Sequence, residues 1–506
     1  MSIKNKRVIV IGAGLGGMAV AARLAAKGAS VDVFETSNEP GGKVRGYQRD
    51  GFTFDLGPSL VTLPAVLREL FTSTGAPLDE YLAITPVEPA FKYFFADGTD
   101  VTVPGADPTS VASAFGKVLG KQAQDDWLAL TSRGGKIWNL TRKPVLQSPI
   151  DSYRDLLKLA TSAKAIKTIA PWQTLSGAIT ANIHDKRLKQ VATRYATYSG
   201  SDPKQAPAAL LATPYVEEAF GVWHVSGGVW KLADALYARC QELGVRFHFG
   251  SRISEISTRS GLATGISLGD GTTHKADVIV SNADARVTYD LIPNEAIAKR
   301  EGAKLQKLTQ SFSGFSMSLA LRGRTPELAH HNVLFPKNYD DEFKQLFEPN
   351  GRPVSEPAIY VCSPDDPSMR PGEDFESWFV LVNAPLHQPE VEGGVNWLEA
   401  GLAESYAKTI VEQLASRGLD VRERIIWQEI TTPADLQAQT GAPGGSIYGA
   451  ANHGPKATFL RASNKSPIKN LYLVGGSAHP GGGVPLVLFS AAITANLVAP
   501  GAFVTR

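Results

Sequence analysis

A chain of 506 residues is longer than one hydrophobic core supports, so at least two domains are expected. With 43% hydrophobic and 20% charged residues the composition excludes a disordered chain, and a formal net charge of +2 removes the electrostatic case for nucleic-acid binding. The two cysteines, Cys240 and Cys362, lie far apart with no CxxC spacing, which argues against a disulfide or a cysteine metal site and fits a reducing compartment.

The opening stretch MSIKNKRVIVIGAG has a short, glycine-interrupted apolar run that does not read as a signal peptide. No window supplies the ~20 uninterrupted apolar residues of a spanning helix. Arg7 to Ile11 reads as a strand whose apolar run, Val8 to Ile11, has no polar alternation, as expected of a parallel strand covered on both faces. A helix follows from about Gly14 to Lys27, then a second strand from Ser30 to Glu35, making a βαβ opening. Asp97-Gly98 sits between β-rich runs from Phe91 to Pro104 and predicts a hairpin.

Residues 107–200 read as mainly helical. Trp230 to Leu243 predicts a helix, followed by strands near Val245–Phe249 and Ile253–Ile256. The Gly269-Asp270-Gly271 turn divides two further strands, Thr264–Leu268 and Thr272–Val280. Residues 310–322 alternate serine with apolar residues, a strand pattern, and 399–417 is an amphipathic helix. Leu471–Val474 is a last buried strand and Pro485–Leu497 a last helix. Strand-rich texture returns at 225–300 and at the C-terminus. The expectation is a nucleotide domain assembled from 1–70, 225–300 and 465–506, with a substrate domain formed by 71–224 and 301–464.

Three glycine motifs carry the chemistry. Gly12, Gly14 and Gly17 match G-x-G-x-x-G between a strand and a helix. There glycines make the tight turn, admit pyrophosphate to the backbone and let helix and strand pack closely, while the helix N-terminus offers free N–H groups. Glu35 ends the second strand, where an acid accepts hydrogen bonds from the adenosine ribose. Gly41-Gly42-Lys43 follows, with Lys43 or Arg45 available to balance phosphate charge, and then Gly57-Pro58-Ser59, whose Gly57 would let backbone approach a flat ring. Near the C-terminus, LYLVGGSAHPGGGVP repeats the order strand, glycine loop, helix. Such a second unit can hold the far end of a long dinucleotide.

With these motifs in view, the sequence resembles the phytoene desaturase family of bacterial carotenoid flavoenzymes along its whole length. The resemblance rests on VIVIGAGLGGMAVAARLAAKG, NEPGGKVRGYQRDGFTFDLGPSLVTLP, FGVWHVSGGVWKLADAL, VIVSNADARVTYDLI, HHNVLFPKNYDDEF and NLYLVGGSAHPGGGVP. It implies an α/β fold: a Rossmann-like FAD-binding domain of the glutathione-reductase/amine-oxidase-like type with an inserted mixed α+β substrate domain. It also implies FAD, a lipophilic polyene substrate and a peripheral site on the cytoplasmic face of a membrane. The family's FAD contacts fall on Gly12, Ala13, Gly14, Leu15, Gly16, Glu35, Gly42, Lys43, Gly57, Pro58, Ser59, Leu60, Ile253, Gly475, Gly476, Val484 and Pro485. By this resemblance Ile253 meets the adenine side, and Val484 and Pro485 lie beside the pyrimidine edge of the flavin. The chain departs from the family at Leu63, where many phytoene desaturases carry Asp. Its loop GGSIYGAANHG (444–454) is nearer to hydroxycarotenoid and C30 carotenoid desaturases.

Desaturation removes a hydride and a proton from a C–C single bond flanked by double bonds. The cofactor performs the difficult step, so no hydrolytic triad or HExxH motif is required, and the sequence holds none. Oxygen or a quinone would accept the electrons. Arg154, in DSYRDLL, and Arg194 and Tyr198, in RYATYSGSD, are candidates to orient substrate or collect a proton, each with a purely structural role as the alternative.

His479 is expected to fix backbone. His330-His331 resembles a metal pair, but adjacent residues point apart, so a structural role and no metal are expected. Residues 156–180 combine Lys158, Lys164 and Lys167 with Leu156, Leu159, Ile166, Ile169 and Trp172, a pattern suited to a membrane interface or to an ordinary surface helix. A redox-neutral carotenoid isomerase, a carotenoid oxidase, an amine or porphyrinogen oxidase and a non-catalytic lipid carrier remain as other readings.

Overall fold

A computed structural model describes residues 3–150, 162–348, 350–454 and 461–500. Its first sheet has five parallel strands in the order Leu471–Leu473, Val278–Ser281, Arg7–Ile11, Ser30–Phe34 and Arg246–His248. Three separated stretches of chain therefore meet in one sheet. Val8, Val10 and Val280 are fully buried, as expected of a parallel sheet covered on both faces. One face packs on the opening helix Leu15–Ala25 and the closing helix Val484–Val498; the other holds Ile9, Ile11, Phe34, Ile253 and Ile279. At the sheet edge, Arg246 and His248 clasp Asp32, and their hydrogen bonds lower its carboxyl despite the opposing effect of burial.

The stretch expected as a single strand from Thr272 to Val280 divides in two. Thr273–Lys275 joins an antiparallel three-stranded sheet with Ile253–Arg259 and Leu262–Leu268, whereas Val278–Ser281 enters the parallel sheet. The intervening Ala276 N bonds back to Thr264, and Asp277 N bonds to Arg7, so the chain changes sheets in two residues.

A second, seven-stranded sheet runs in the order Ile425–Thr431, Ser313–Arg322, Phe375–Ala384, Ile359–Cys362, His331–Leu334, Phe91–Phe94 and Asp100–Val103. Its pairings are antiparallel except that of His331–Leu334 with Phe91–Phe94. The serine alternation in Ser313–Arg322 does not mark a wet face, because Ser316 and Ser318 are buried along with Phe315, Met317 and Leu319. The strand lies inside the sheet: the helix Leu402–Ser416 covers one face, and Phe52 and Phe54 approach Ala320 on the other. Helices between Pro108 and Phe220 pack on Phe91, Tyr93 and Phe335 at the far end. Among the described residues no helix is long and apolar enough to cross a membrane.

Candidate functional site: two glycine loops closed on Asn282

The opening turn is held from both sides. Gly12 N donates to the Phe34 carbonyl at 2.8 Å and Gly41 N to the Ala13 carbonyl at 2.9 Å. Glu35 is half-buried; its Oε2 accepts Ala13 N at 2.7 Å and its Oε1 accepts Ser37 N at 2.8 Å. These bonds fix the carboxylate beside the glycine turn and leave lone pairs for ribose hydroxyls.

Asn282 ends the strand Val278–Ser281 and stands between the two glycine loops. A Cβ on Gly16 would lie 2.6 Å from Asn282 Oδ1 and 3.1 Å from Gly475 Cα; a Cβ on Gly475 would lie 2.6 Å from the same Oδ1, and one on Gly14 2.7 Å from Asn282 Nδ2. Side chains at these positions would push the loops apart. The opening and closing helices both begin after a glycine N-cap, Gly14 and Gly483, with no side-chain cap. Their first N–H groups are thus donors of the kind that bind phosphate or a carbonyl edge. A Cβ on Gly57 would land on the Lys43 carbonyl oxygen, so only glycine lets residues 56–60 reach the Gly41–Lys43 turn.

Ala13, Leu15 and Val484 are buried in the packing of the two helices, Ile253 is buried against Ile9, Ile11 and Phe34, and Pro58, Leu60, Gly476 and Pro485 are half-buried. Lys43 departs from the expected phosphate partner in its geometry. Its Nζ donates to the carbonyls of Ser446 and Ile447, each at 2.8 Å, and burial pushes its ammonium down to about 8. It therefore ties the 444–454 loop to the glycine turn. Arg45 turns to Ser37 Oγ at 2.9 Å.

Ser59 links this site to the large sheet. Its hydroxyl is 2.7 Å from the Tyr360 hydroxyl, which is 2.7 Å from His331 Nδ1. His331 and Cys362 oppose each other across neighbouring strands. The His330 and His331 rings lie 4.6 Å apart, and ligand atoms of His330, His331 and Cys362 all fall within 4.8 Å of one another. The two histidines therefore converge and do not diverge, because His330 precedes the strand and strand alternation does not reach it. Burial pushes both imidazoles down, His330 to about 3, so both are neutral at pH 7.

The candidate acid–base residues Arg194 and Tyr198 lie behind this series, across the Phe91 ring, whose centre is 5.0 Å from that of His331. Arg194 is buried among Phe91, Tyr93, Tyr195 and Tyr198, with its guanidinium carbon 5.1 Å from the Phe91 and Tyr198 ring centres. Tyr195 and Tyr198 donate to the Glu217 carboxylate at 2.6 and 2.7 Å. The structure brings Arg194 and Tyr198 together at 3.2 Å but in a closed network. Arg154 lies outside the described residues. His479 Nε2 meets the carbonyls of Val145 and Ser148 at 2.8 and 3.1 Å, joining the last glycine loop to the helical region.

Sequence reasoning missed Asn282 and Arg461 as site residues. Asn282 had a usable signal, its place at the end of an apolar strand in SNAD. Arg461 had none, because three of its four partners are main-chain oxygens and the fourth is the Asn452 side chain.

Two uncapped helix N-termini on one parallel sheet, an acid at the second strand and interlocked glycine loops define a dinucleotide-binding flavoenzyme. The comparisons agree. Residues 15–346 match the family described as flavin containing amine oxidoreductase. The chain is 31% identical to 4,4'-diapolycopene oxygenase of a Methylomonas species, covering 96% of each chain. It is 32% identical to the zeta-carotene-forming phytoene desaturase of Myxococcus xanthus, over 97% of this chain and 93% of that one. It is also 32% identical to 4,4'-diaponeurosporene oxygenase of Staphylococcus aureus, over 96% of each. Among solved structures, cyclohexylamine oxidase from Brevibacterium oxydans superposes with a TM-score of 0.62 at 15% identity, covering 98% of this chain and 99% of that one. A putrescine oxidase variant superposes at 0.65 and 13%, covering 99% of each. The chain belongs to the flavin-containing amine oxidoreductases and, within them, to the carotenoid desaturase and oxygenase family; it is a flavin-dependent oxidoreductase.

Proposed function

We propose that this protein is an FAD-dependent carotenoid desaturase acting on a lipophilic polyene at a membrane surface. The observation that carries the cofactor half is the closure of both glycine loops on Asn282, with Glu35 beside the first. This geometry suits an adenine dinucleotide at one end and a flavin ring at the other. Residues 1–70, 225–300 and 465–506 would hold FAD through Gly12–Gly16, Glu35, Gly42, Lys43, Gly57–Leu60, Ile253, Gly475, Gly476, Val484 and Pro485. Residues 71–224 and 301–464 would hold the polyene. Relatives named for phytoene, diapolycopene and diaponeurosporene support that substrate class.

A bound flavin supplies the hydride acceptor. The protein's task is to align an allylic C–H bond, exclude water and receive the proton. The hydrogen-bonded series Ser59, Tyr360, His331 would hold the Gly57–Leu60 loop against the large sheet, and because burial keeps His331 neutral its imidazole orients the Tyr360 hydroxyl and does not take up the proton. Oxygen or a quinone would serve as the terminal electron acceptor. Ile166, Trp172 and Phe220 are exposed apolar side chains, Trp172 at 69%, with Lys164 and Lys167 close to Ile166 and Trp172 in sequence; they suit peripheral docking on lipid.

A second reading, oxygenation of a terminal methyl group, is favoured by relatives of equal identity that are named oxygenases. The test is to mix flavin-loaded protein anaerobically in liposomes with phytoene, diapophytoene and diaponeurosporene separately. Flavin bleaching coupled to longer-wavelength polyene absorption is expected. Pigment that gains oxygen in air without lengthening its polyene favours the oxygenase. If no polyene reacts although flavin is bound, the carotenoid reading fails, and amines and porphyrinogens become the next panel.

A further inference from the structure

Two cations lie beneath the loops of the flavin site without a carboxylate partner among the described residues, Arg461 buried and Lys43 exposed. Arg461 is 7% exposed. Its Nη1 donates to the carbonyls of Tyr448 and Gly476 at 2.9 and 3.1 Å, its Nη2 to that of Ala450 at 2.6 Å, and its Nε to Asn452 Oδ1 at 3.3 Å. Lys43 reaches the same loop from the other side through the Ser446 and Ile447 carbonyls. Among the described residues no carboxylate lies within 4.0 Å of either cation. Asp284, farther away, is the acid whose charge acts on both.

The other buried arginines are handled differently. Arg23 sits on Glu69, Arg370 on Asp365 and Glu373, and Arg194 on Glu217 through Tyr198. An enclosed charge without a counter-charge is costly, and folds retain one where an anion arrives. Arg461 also has a definite address. It bonds the Gly476 carbonyl, and its guanidinium carbon would stand 3.5 Å from a Cβ on Gly481, so it underlies the loop leading into the uncapped N-terminus of the closing helix. Burial pushes its guanidinium down to about 10, with Asp284 opposing, so it is charged at neutral pH.

Resting on the flavin reading above, we infer that Arg461, backed by Lys43, sets the electron affinity of the bound flavin by stabilising the anionic two-electron-reduced ring. The closing helix adds positive potential of the same sign. Carbonyl oxygens hold the guanidinium in place without cancelling its charge, whereas a carboxylate would cancel it.

The test is to reduce flavin-loaded protein against a reference dye and compare wild type with Arg461→Gln and Arg461→Lys. For Arg461→Gln the equilibrium constant for flavin reduction is expected to fall at least tenfold, ~30 mV for a two-electron couple. Arg461→Lys, which keeps the charge, should lose less than half of that shift. An unchanged midpoint in Arg461→Gln overturns the inference even if flavin binds more weakly, because the cation then serves binding or packing alone. Should Arg461→Gln fail to retain flavin, photoreduction of the wild type decides. A red, anionic one-electron form supports the inference, and a blue, neutral form overturns it. These readings need no polyene. A shifted midpoint with every polyene inert sinks only the carotenoid reading, and polyene turnover with an unmoved midpoint sinks only this inference.

Discussion

Arg194 and Arg461 are both enclosed guanidiniums, and their surroundings differ in kind. Around Arg194 the rings of Phe91, Tyr93, Tyr195 and Tyr198 and the Glu217 carboxylate supply π-faces, hydroxyls and a negative charge. Around Arg461 and Lys43 there are only carbonyl oxygens and one amide. The first region neutralises itself and is complete as folded. The second keeps a surplus of positive charge beside two glycine loops, which a bound anion would complete. A buried cation is therefore informative about ligands only when its own protein has left it uncompensated.

The largest effect should come from breaking the self-sufficient region. Glu217→Ala leaves Arg194 without its counter-charge and two tyrosine hydroxyls without their acceptor and is expected to cost about 3–5 kcal/mol in urea unfolding, with the midpoint of any retained flavin unchanged. A loss below about 1 kcal/mol would mean that the aromatic rings alone stabilise Arg194.

Next is Gly16→Val, which forces a side chain between Asn282 and Gly475. It should cost about 1–3 kcal/mol by overpacking and lower flavin retention at least tenfold, read from absorbance per chain. Full retention would show that the two loops need not meet.

Lys43 sharpens the comparison through pH. Its ammonium titrates near 8 in the flavin-free fold and near 10.5 when unfolded, so between these values the unfolded chain binds more protons. Stability of the apoprotein should therefore rise from pH 8 toward 10, by only part of the full titration effect because solvent reaches and screens the exposed Lys43 side chain, and fall back as pH drops through 8. Lys43→Met should remove that slope, and a slope that survives the substitution belongs to another group.

The smallest change in the fold is expected from Ile166→Ser combined with Trp172→Ser on the exposed basic segment. Liposome co-sedimentation should fall about tenfold, corresponding to about 1.4 kcal/mol, with Tm and flavin content unchanged. Undiminished sedimentation would move the docking surface elsewhere.

Much of the nucleotide unit was legible along the chain. Arg7–Ile11 and Leu471–Leu473 are short and apolar because both sheet faces are covered, and each runs into glycines that tolerate no Cβ. The hairpin at Asp97-Gly98 is likewise a local turn preference. The division of 272–280 between two sheets was not legible, since apolar continuity does not record which partner each half will meet. Nor was the wet-looking alternation of Ser313–Arg322 a guide, because its serines are buried by strands and aromatics from distant parts of the chain.

The sequence by itself indicated a dinucleotide site, through glycine spacing and an acid at a strand end, because these contacts use backbone and neighbours near in the chain, while the flavin followed from the family resemblance. Only the tertiary structure decided that Lys43 would face carbonyls, that His330 and His331 would converge near Cys362, and that Arg461 would lie uncompensated under the last glycine loop. Charge balance and side-chain convergence depend on which distant segments share a sheet, and no local pattern encodes that.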